Sequence, residues 1–326
     1  MKINFIGSFT QGFVGETADE LILANALSDL GHEVTKVPRD IWKAHCEGEP
    51  TGADWVLPKE ADINIICKWH HFVDGKYCRI LREETGAPVF YWTWDYMKWP
   101  DAPEWHRRMA EAADLHLTNE GGFEEVNYMK QWEIEPYYFP MDVADSQYVS
   151  YSIMQPRAKK YDVTFFGSWI GEGVRQTYLP LINKVYPVTA FSWNHKDWPA
   201  EFTAYPAVYG QEFNDKVSES KICLQMSVYD DCWGYWSNRT GKTLLAGGFL
   251  LARYTPGMEL ALRDGAEYFR EPDEAIEKIK YYLEHGDERT QIAKRGWEIG
   301  KEGFTSHARM KELEILIKRF LKGDLI

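Results

Sequence analysis

DVTFFGS at residues 162–168 repeats, late in the chain, the wording of INFIGS at residues 3–8. Each is a short apolar strand that stops at Gly-Ser, and each is followed by a helical pattern. Two such openings predict two Rossmann-like halves, hence an α/β protein with parallel sheets covered by helices. Outward from the first copy, KINFI (2–6) is the strand and Gly7 breaks it. Thr17-x-x-Glu20 reads as a capping box ahead of Leu23, Leu27 and Leu30 at helical spacing. Gly31 sits as the residue after the helix end, and HEVTKV is the next strand. The pattern continues with ADINIICKW, a helix over 76–85, APVFYWTW, a helix over 104–113 and LHLT. Periodicity stops around 140–160, near Pro140, Pro156 and the cluster Arg157, Lys159, Lys160, which reads as a solvated linker face. Outward from the second copy come a helix from about Arg175 to Val185, then strands PVTAFSW, AVYG and KICLQMS. A helix through Thr243 to Ala246, strand FLLAR and helices opening at Pro272, Asp287 and Ser306 complete it. The expected domains are 1–150 and 155–304, with a terminal helix over 305–326 whose Met310, Leu313, Ile317 and Phe320 form a packing stripe.

The chain's 326 residues exceed the usual size of one core, and 44% hydrophobic with 27% charged residues is globular composition. Thirty-seven Lys and Arg against 50 Asp and Glu give a net charge of -13, which opposes general attraction to phosphate backbones and anionic membranes. Five cysteines, odd in number and without a C-x-x-C pair, predict neither disulfides nor a zinc cluster and fit a reducing, cytoplasmic setting. The opening MKINFIGSFTQGF has no long apolar core and no long apolar run follows, so neither a signal peptide nor a membrane span is expected. No obligate protein partner is evident. Aromatic residues are 15% of the chain, with 14 Trp; their faces stack on sugars and bases, and they also fill cores.

The loop GSFTQGFVG (7–15) is not G-x-G-x-x-G, so a nicotinamide or flavin fingerprint is missing and no cofactor is expected. Placed after a first strand, it still lines the ligand crevice, through Ser8 and Gly12. Gly241-Lys242-Thr243 resembles the end of a phosphate-binding loop, but Trp236 stands where the first glycine belongs. What remains is a loop, WGYWSNRT, feeding a helix whose first turn carries Arg239 and Lys242 on one face; two cations and free N–H groups there suit a diphosphate. His70 and His71 after one strand and Asp95 after the next should reach the carboxyl edge, as general base, as acceptor contacts or as structural hydrogen-bonding groups. Adjacent histidines are a poor metal pair and no third ligand appears, so no metal is expected.

From Asp162 to Arg309 the chain resembles the spore-maturation, CgeB-type glycosyltransferases of the two-Rossmann GT-B fold. The matching pieces are DVTFFGS followed by Arg175, SESKICLQMS, SNRTGKTLLAGGFLLARYTPGMEL, EYFREPDEAIEKIKYYLEHGDERTQIAKRG and FTSHAR. The resemblance implies domains facing across a cleft, a nucleotide-sugar donor (UDP-sugar type) in the second, an acceptor in the first, and a last helix that crosses back. Diphosphate contacts would come from Arg239, Lys242, Asn238, Ser168 and Arg175, and nucleoside or sugar contacts from Glu259, Asp231 and Tyr209. Asp95 or His71 would activate the acceptor hydroxyl, with Trp92 and Trp94 as aromatic acceptor walls. Lys242 replaces the family's usual acidic residue, and Gly234 stands where a further Glu is expected. The expected activity is metal-independent sugar transfer to a hydroxyl acceptor, carbohydrate in preference to a hydroxylated DNA base. A nucleotide-sugar epimerase or a non-catalytic sugar-binding protein are the alternatives.

Overall fold

The computed structural model describes residues 1–9, 19–51, 57, 59–67, 74–94, 104–119, 121, 132–141, 157–169, 173–227 and 231–325. Contacts divide the chain into two units, Met1–Met141 with Met310–Ile326, and Asp142–Arg309. The unit boundaries fall after Met141 and Arg309, where the sequence placed them at 150–155 and 304–305.

In the first unit six parallel strands, β1 (Lys2–Gly7), β2 (Glu33–Pro38), β3 (Ile63–Cys67), β4 (Val89–Trp92), β5 (Leu115–Thr118) and β6 (Tyr137–Tyr138), lie in the order β2-β1-β3-β4-β5-β6. INIIC of β3 is buried at every position, as a central parallel strand covered on both faces must be. Asn4 and Asn64 are buried on neighbouring strands, the Asn4 Nδ2 donating to Asn64 Oδ1 at 3.0 Å while Asn64 Nδ2 donates to Thr85 Oγ1 and the Ala87 carbonyl. Helices Asp19–Asp29, Arg39–Glu47, Lys76–Thr85 and Glu104–Ala112 connect the strands. The helix Arg39–Glu47 was not expected; it starts directly after Pro38, and its Trp42 is fully buried against Tyr77 and Tyr91. The terminal helix Ser306–Lys322 uses the stripe read from sequence. Met310, Leu313 and Ile317 are fully buried, and Phe320 meets Phe90 edge-on at 5.0 Å.

In the second unit β7 (Tyr161–Phe166), β8 (Val188–Ser192), β9 (Thr203–Pro206), β10 (Ser220–Gln225), β11 (Leu250–Arg253) and β12 (Glu267–Phe269) form a second parallel sheet, ordered β12-β11-β10-β7-β8-β9. The sequence put a strand at AVYG; the strand lies earlier, at Thr203–Pro206, and the chain at Gly210 (φ 53°) turns into the helix Gly210–Ser218 instead. Strands β7, β8 and β9 run one way across the sheet and β10, β11 and β12 the other, so the order reverses between β7 and β10. Among the described residues no helix is long and apolar enough to cross a membrane.

Candidate functional site

An open parallel sheet binds its ligand at the carboxyl ends of the two strands where the order reverses. In the second unit those ends are Gly167-Ser168 after β7 and Met226-Ser227 after β10. Arg175, in the first turn of the helix Val174–Val185, ties them together. Its Nε and Nη2 donate to the Met226 carbonyl at 3.0 and 2.8 Å, and Nη1 donates to the Ser168 carbonyl at 3.2 Å. Arg175 is 3% exposed, and among the described residues no carboxylate pairs with its guanidinium. Burial pushes its pKa down to about 9, and the charge of Arg239 acts in the same direction; it remains a cation at neutral pH. A side chain at Gly167 would press on the Phe165 ring at 2.9 Å, so the glycine permits this close turn. Asn194 pins the adjoining exit of β8: its Oδ1 accepts the Trp169 N–H at 3.1 Å and its Nδ2 donates to the Trp169 carbonyl at 2.6 Å. The edge is therefore held before any ligand arrives.

The helix Arg239–Leu245 opens beside this edge, with Arg239 and Lys242 both half-buried in its first turn. The expectation of free N–H groups is corrected at two positions. The Arg239 N–H reaches Ser237 Oγ at 3.4 Å and the Thr240 N–H donates to the Ser237 carbonyl at 2.9 Å, because Ser237 folds back over the helix start. Asn238 accepts the Lys242 N–H through its carbonyl at 3.1 Å. Trp236, the residue that breaks the phosphate-loop pattern, is a core side chain packed with Leu244, Leu250 and Met258. The preceding turn is anchored where the Gly234 N–H donates to the Pro256 carbonyl at 2.8 Å and Trp233 lies over Gly257 (φ 92°). Of the expected nucleoside contacts, Asp231 and Glu259 are exposed, and a Glu259 oxygen accepts the Gly257 N–H at 3.1 Å. Tyr209 is half-buried and immediately precedes the helix Gly210–Ser218.

In the first unit the order reverses between β1 and β3, and Ser8 leaves β1 at that point, half-buried. Of the Thr17-x-x-Glu20 capping box, Thr17 lies outside the described residues. The helix begins at Asp19, and the Glu20 side chain lies fully buried over Gly7, where an added Cβ would come within 2.7 Å of its Cγ. The acceptor-wall expectation is corrected for Trp92: it is fully buried in β4, its Nε1 donates to the Phe139 carbonyl at 3.0 Å, and it has no face left for a ligand. Trp94, 6% exposed, packs edge-on against it at 5.4 Å. Gly12, His70, His71 and Asp95 lie outside the described residues. Among the described residues no group of three or more His, Cys, Asp or Glu is placed to hold a metal ion.

The profile of a family described as glycosyl transferase-like matches residues 153–315, half of the chain. No curated protein matches in sequence. Among solved structures, an α-glucosyltransferase in complex with UDP superposes with a TM-score of 0.67 at 14% identity, covering 98% of this chain and 100% of that one. A sucrose-phosphate synthase from Thermosynechococcus elongatus gives 0.65 at 10% identity, with 99% of each chain covered. The DNA-modifying enzyme β-glucosyltransferase gives 0.64 at 13% identity, covering 99% of this chain and 100% of that one. At these identities the likeness is one of fold, and the fold shared is GT-B.

Proposed function

The chain belongs to the glycosyl transferase-like family, and from that premise we propose that it moves a sugar from a UDP-sugar donor, held by the second unit, to a hydroxyl acceptor held by the first. The observation that carries this reading is the pair Arg175 and Arg239 at the reversal point of the second sheet. A buried cation held by neutral carbonyls, a hydroxyl and an aromatic ring, with no carboxylate partner among the described residues, costs several kcal/mol in desolvation, and the charge of Arg239 adds to the strain on it. An anion seated between them relieves that cost. As the sugar leaves, negative charge develops on the departing diphosphate, and cations fixed in advance stabilise it without reorganising. Arg239 and Lys242 would meet the phosphates, Arg175 would hold the edge on which they sit, and Ser168 and Asn238 would add polar contacts. Glu259, Asp231 and Tyr209 remain the nucleoside candidates. Asp95 or His71 would take the proton from the acceptor hydroxyl. Within the family the chain is of the spore-maturation, CgeB type, on the strength of the run from DVTFFGS to FTSHAR.

The acceptor is a carbohydrate or another small hydroxyl compound. Charge supports this: of the net -13, the unit that would hold the acceptor carries -10 and the donor unit -3. A DNA acceptor would have to enter against that charge. The experiment is transfer of labelled glucose from UDP-glucose to a panel of glycans and to a hydroxymethylated duplex across a salt series. Transfer to glycan with little salt dependence supports the reading. Strong transfer to the duplex that falls steeply with salt makes this a DNA-modifying enzyme, and no turnover or binding of UDP-glucose at all overturns the proposed activity.

A further inference from the structure

We propose that Gln225, together with Ser227, holds a pair of neighbouring hydroxyl groups on the sugar nucleotide; the proposal rests on the donor reading above and assigns the part of the donor these residues contact. Gln225 is the last residue of β10 and Ser227 follows two positions later, so they flank Met226, the residue whose carbonyl Arg175 grips. Alternation along the strand divides its side chains cleanly. Ile222, Leu224 and Met226 belong to the core with Phe165 and Leu251, while Cys223 packs with Val217 and Ala246 on the other face. Gln225 follows Cys223 on that second face, the one covered by the helix that opens at Arg239.

Gln225 is 5% exposed and Ser227 3%, and among the described residues neither end of the Gln225 amide nor the Ser227 hydroxyl has a hydrogen-bond partner. Thr240, fully buried in the first turn of that helix, is in the same position. One orphaned polar group is an isolated cost. A glutamine amide and a serine hydroxyl orphaned two residues apart, at the reversal point of the sheet and on backbone pinned by a buried arginine, are groups awaiting a partner. An amide offers one acceptor and two donors, so its natural complement is a vicinal diol: one hydroxyl donates to Oε1 while the neighbouring oxygen accepts from Nε2. The three rotatable bonds of the glutamine stem let the amide swing to the edge once that partner is present. A ribose and a transferred hexose both carry such diols, and the two are separable by ligand.

The test is Gln225→Met, close in shape and without the amide, with Ser227→Ala as a second variant. Two measurements are made on the full chain: the ligand-free melting temperature, and calorimetric binding of UDP and of UDP-glucose. Removing an unpaired buried amide should raise the ligand-free melting temperature or leave it unchanged, while donor affinity falls on the order of tenfold. A loss for both ligands assigns the ribose diol, and a loss for UDP-glucose alone assigns the hexose. A lower ligand-free melting temperature, or parent-like affinity for both ligands in both variants, overturns the assignment of Gln225 and Ser227 and leaves the donor reading standing. If the parent protein itself binds neither ligand, the donor reading falls and takes this assignment with it.

Discussion

Arg239 and Arg175 are both arginines of the same edge, yet the structure gives them different work. Arg175 has its fork spent on backbone carbonyls, so it acts on a ligand through the loops it holds, whereas Arg239 is half-buried in the first turn of the neighbouring helix, where the proposed site puts it against the phosphates. Arg239→Ala should therefore cost about 1.5–3 kcal/mol in donor affinity or in rate, the worth of a charge-assisted contact, with the melting temperature nearly unchanged. Titration of UDP together with initial rates checks it, and parent-like values in both would remove Arg239 from the site. On the acceptor side, Asp95→Asn should leave UDP binding intact and slow transfer roughly a hundredfold if Asp95 is the base, with His71→Ala as the comparison. The residues of the donor edge were unequally legible. Arg239 and Lys242 are suggested by their spacing in the first turn of a helix together with the resemblance. Arg175 emerges only through resemblance, because a lone arginine in a helix reads as a surface charge. Gln225 is invisible in sequence, since a glutamine at a strand end carries no sign that its amide will be buried without a partner.

At the scale of elements, hydrophobic runs and glycine stops located every strand of the first half down to β5, and the helices over 76–85 and from Pro272 onward. What escaped were elements defined by their neighbours. The helix Arg39–Glu47 is charged along most of its length and is held chiefly by Trp42, and β12 is three residues that exist as a strand only because β11 lies alongside. Packing also decides the sign of glycine substitutions in the helix Gly286–Gly303. Elsewhere a helical Gly→Ala change gains up to about 1 kcal/mol. At Gly296 an added Cβ runs into the Gly265 carbonyl and lies 2.8 Å from Leu244 Cδ2, atoms that belong to a tight turn and to the core. Overpacking of that kind costs about 1–3 kcal/mol, enough to outweigh the propensity gain. Gly296→Ala should destabilise the protein. Gly303, at the end of the same helix, would meet nothing within 4 Å, so Gly303→Ala should be neutral or gain about 0.5 kcal/mol. Denaturant midpoints of the two variants, measured side by side, check both signs.

For the molecule as a whole, the first unit combines a strong negative charge with two buried histidines, and these respond to acid in opposite directions. His106 shares a hydrogen bond with the Tyr91 hydroxyl at 3.2 Å, His116 shares one with Thr93 Oγ1 at 3.0 Å, and the two rings lie 5.1 Å apart. Burial lowers the His106 pKa from 6.5 to about 3; burial, and then His106 itself, holds His116 well below 6.5. Above pH 6.5 both are neutral whether the chain is folded or not, so their contribution is fully present. Below it the unfolded chain takes up protons that the folded chain refuses, and stability falls with pH, for His106 until about pH 3. Each histidine contributes a slope of up to about 1.4 kcal/mol per pH unit in that window. Acid also relaxes the repulsion among the surplus carboxylates, which opposes the loss, but that repulsion is exposed and screened by salt while the histidine desolvation is not. Added salt should therefore leave the acid slope in place. The melting temperature should drop steadily between pH 6.5 and 4.5 at high ionic strength, and His106→Phe should flatten that drop even though it forfeits the Tyr91 hydrogen bond and melts lower at pH 7.5. A parent protein equally stable at both ends of that range, or a His106→Phe variant with the parent's slope, would show that these imidazoles take up protons within the folded unit.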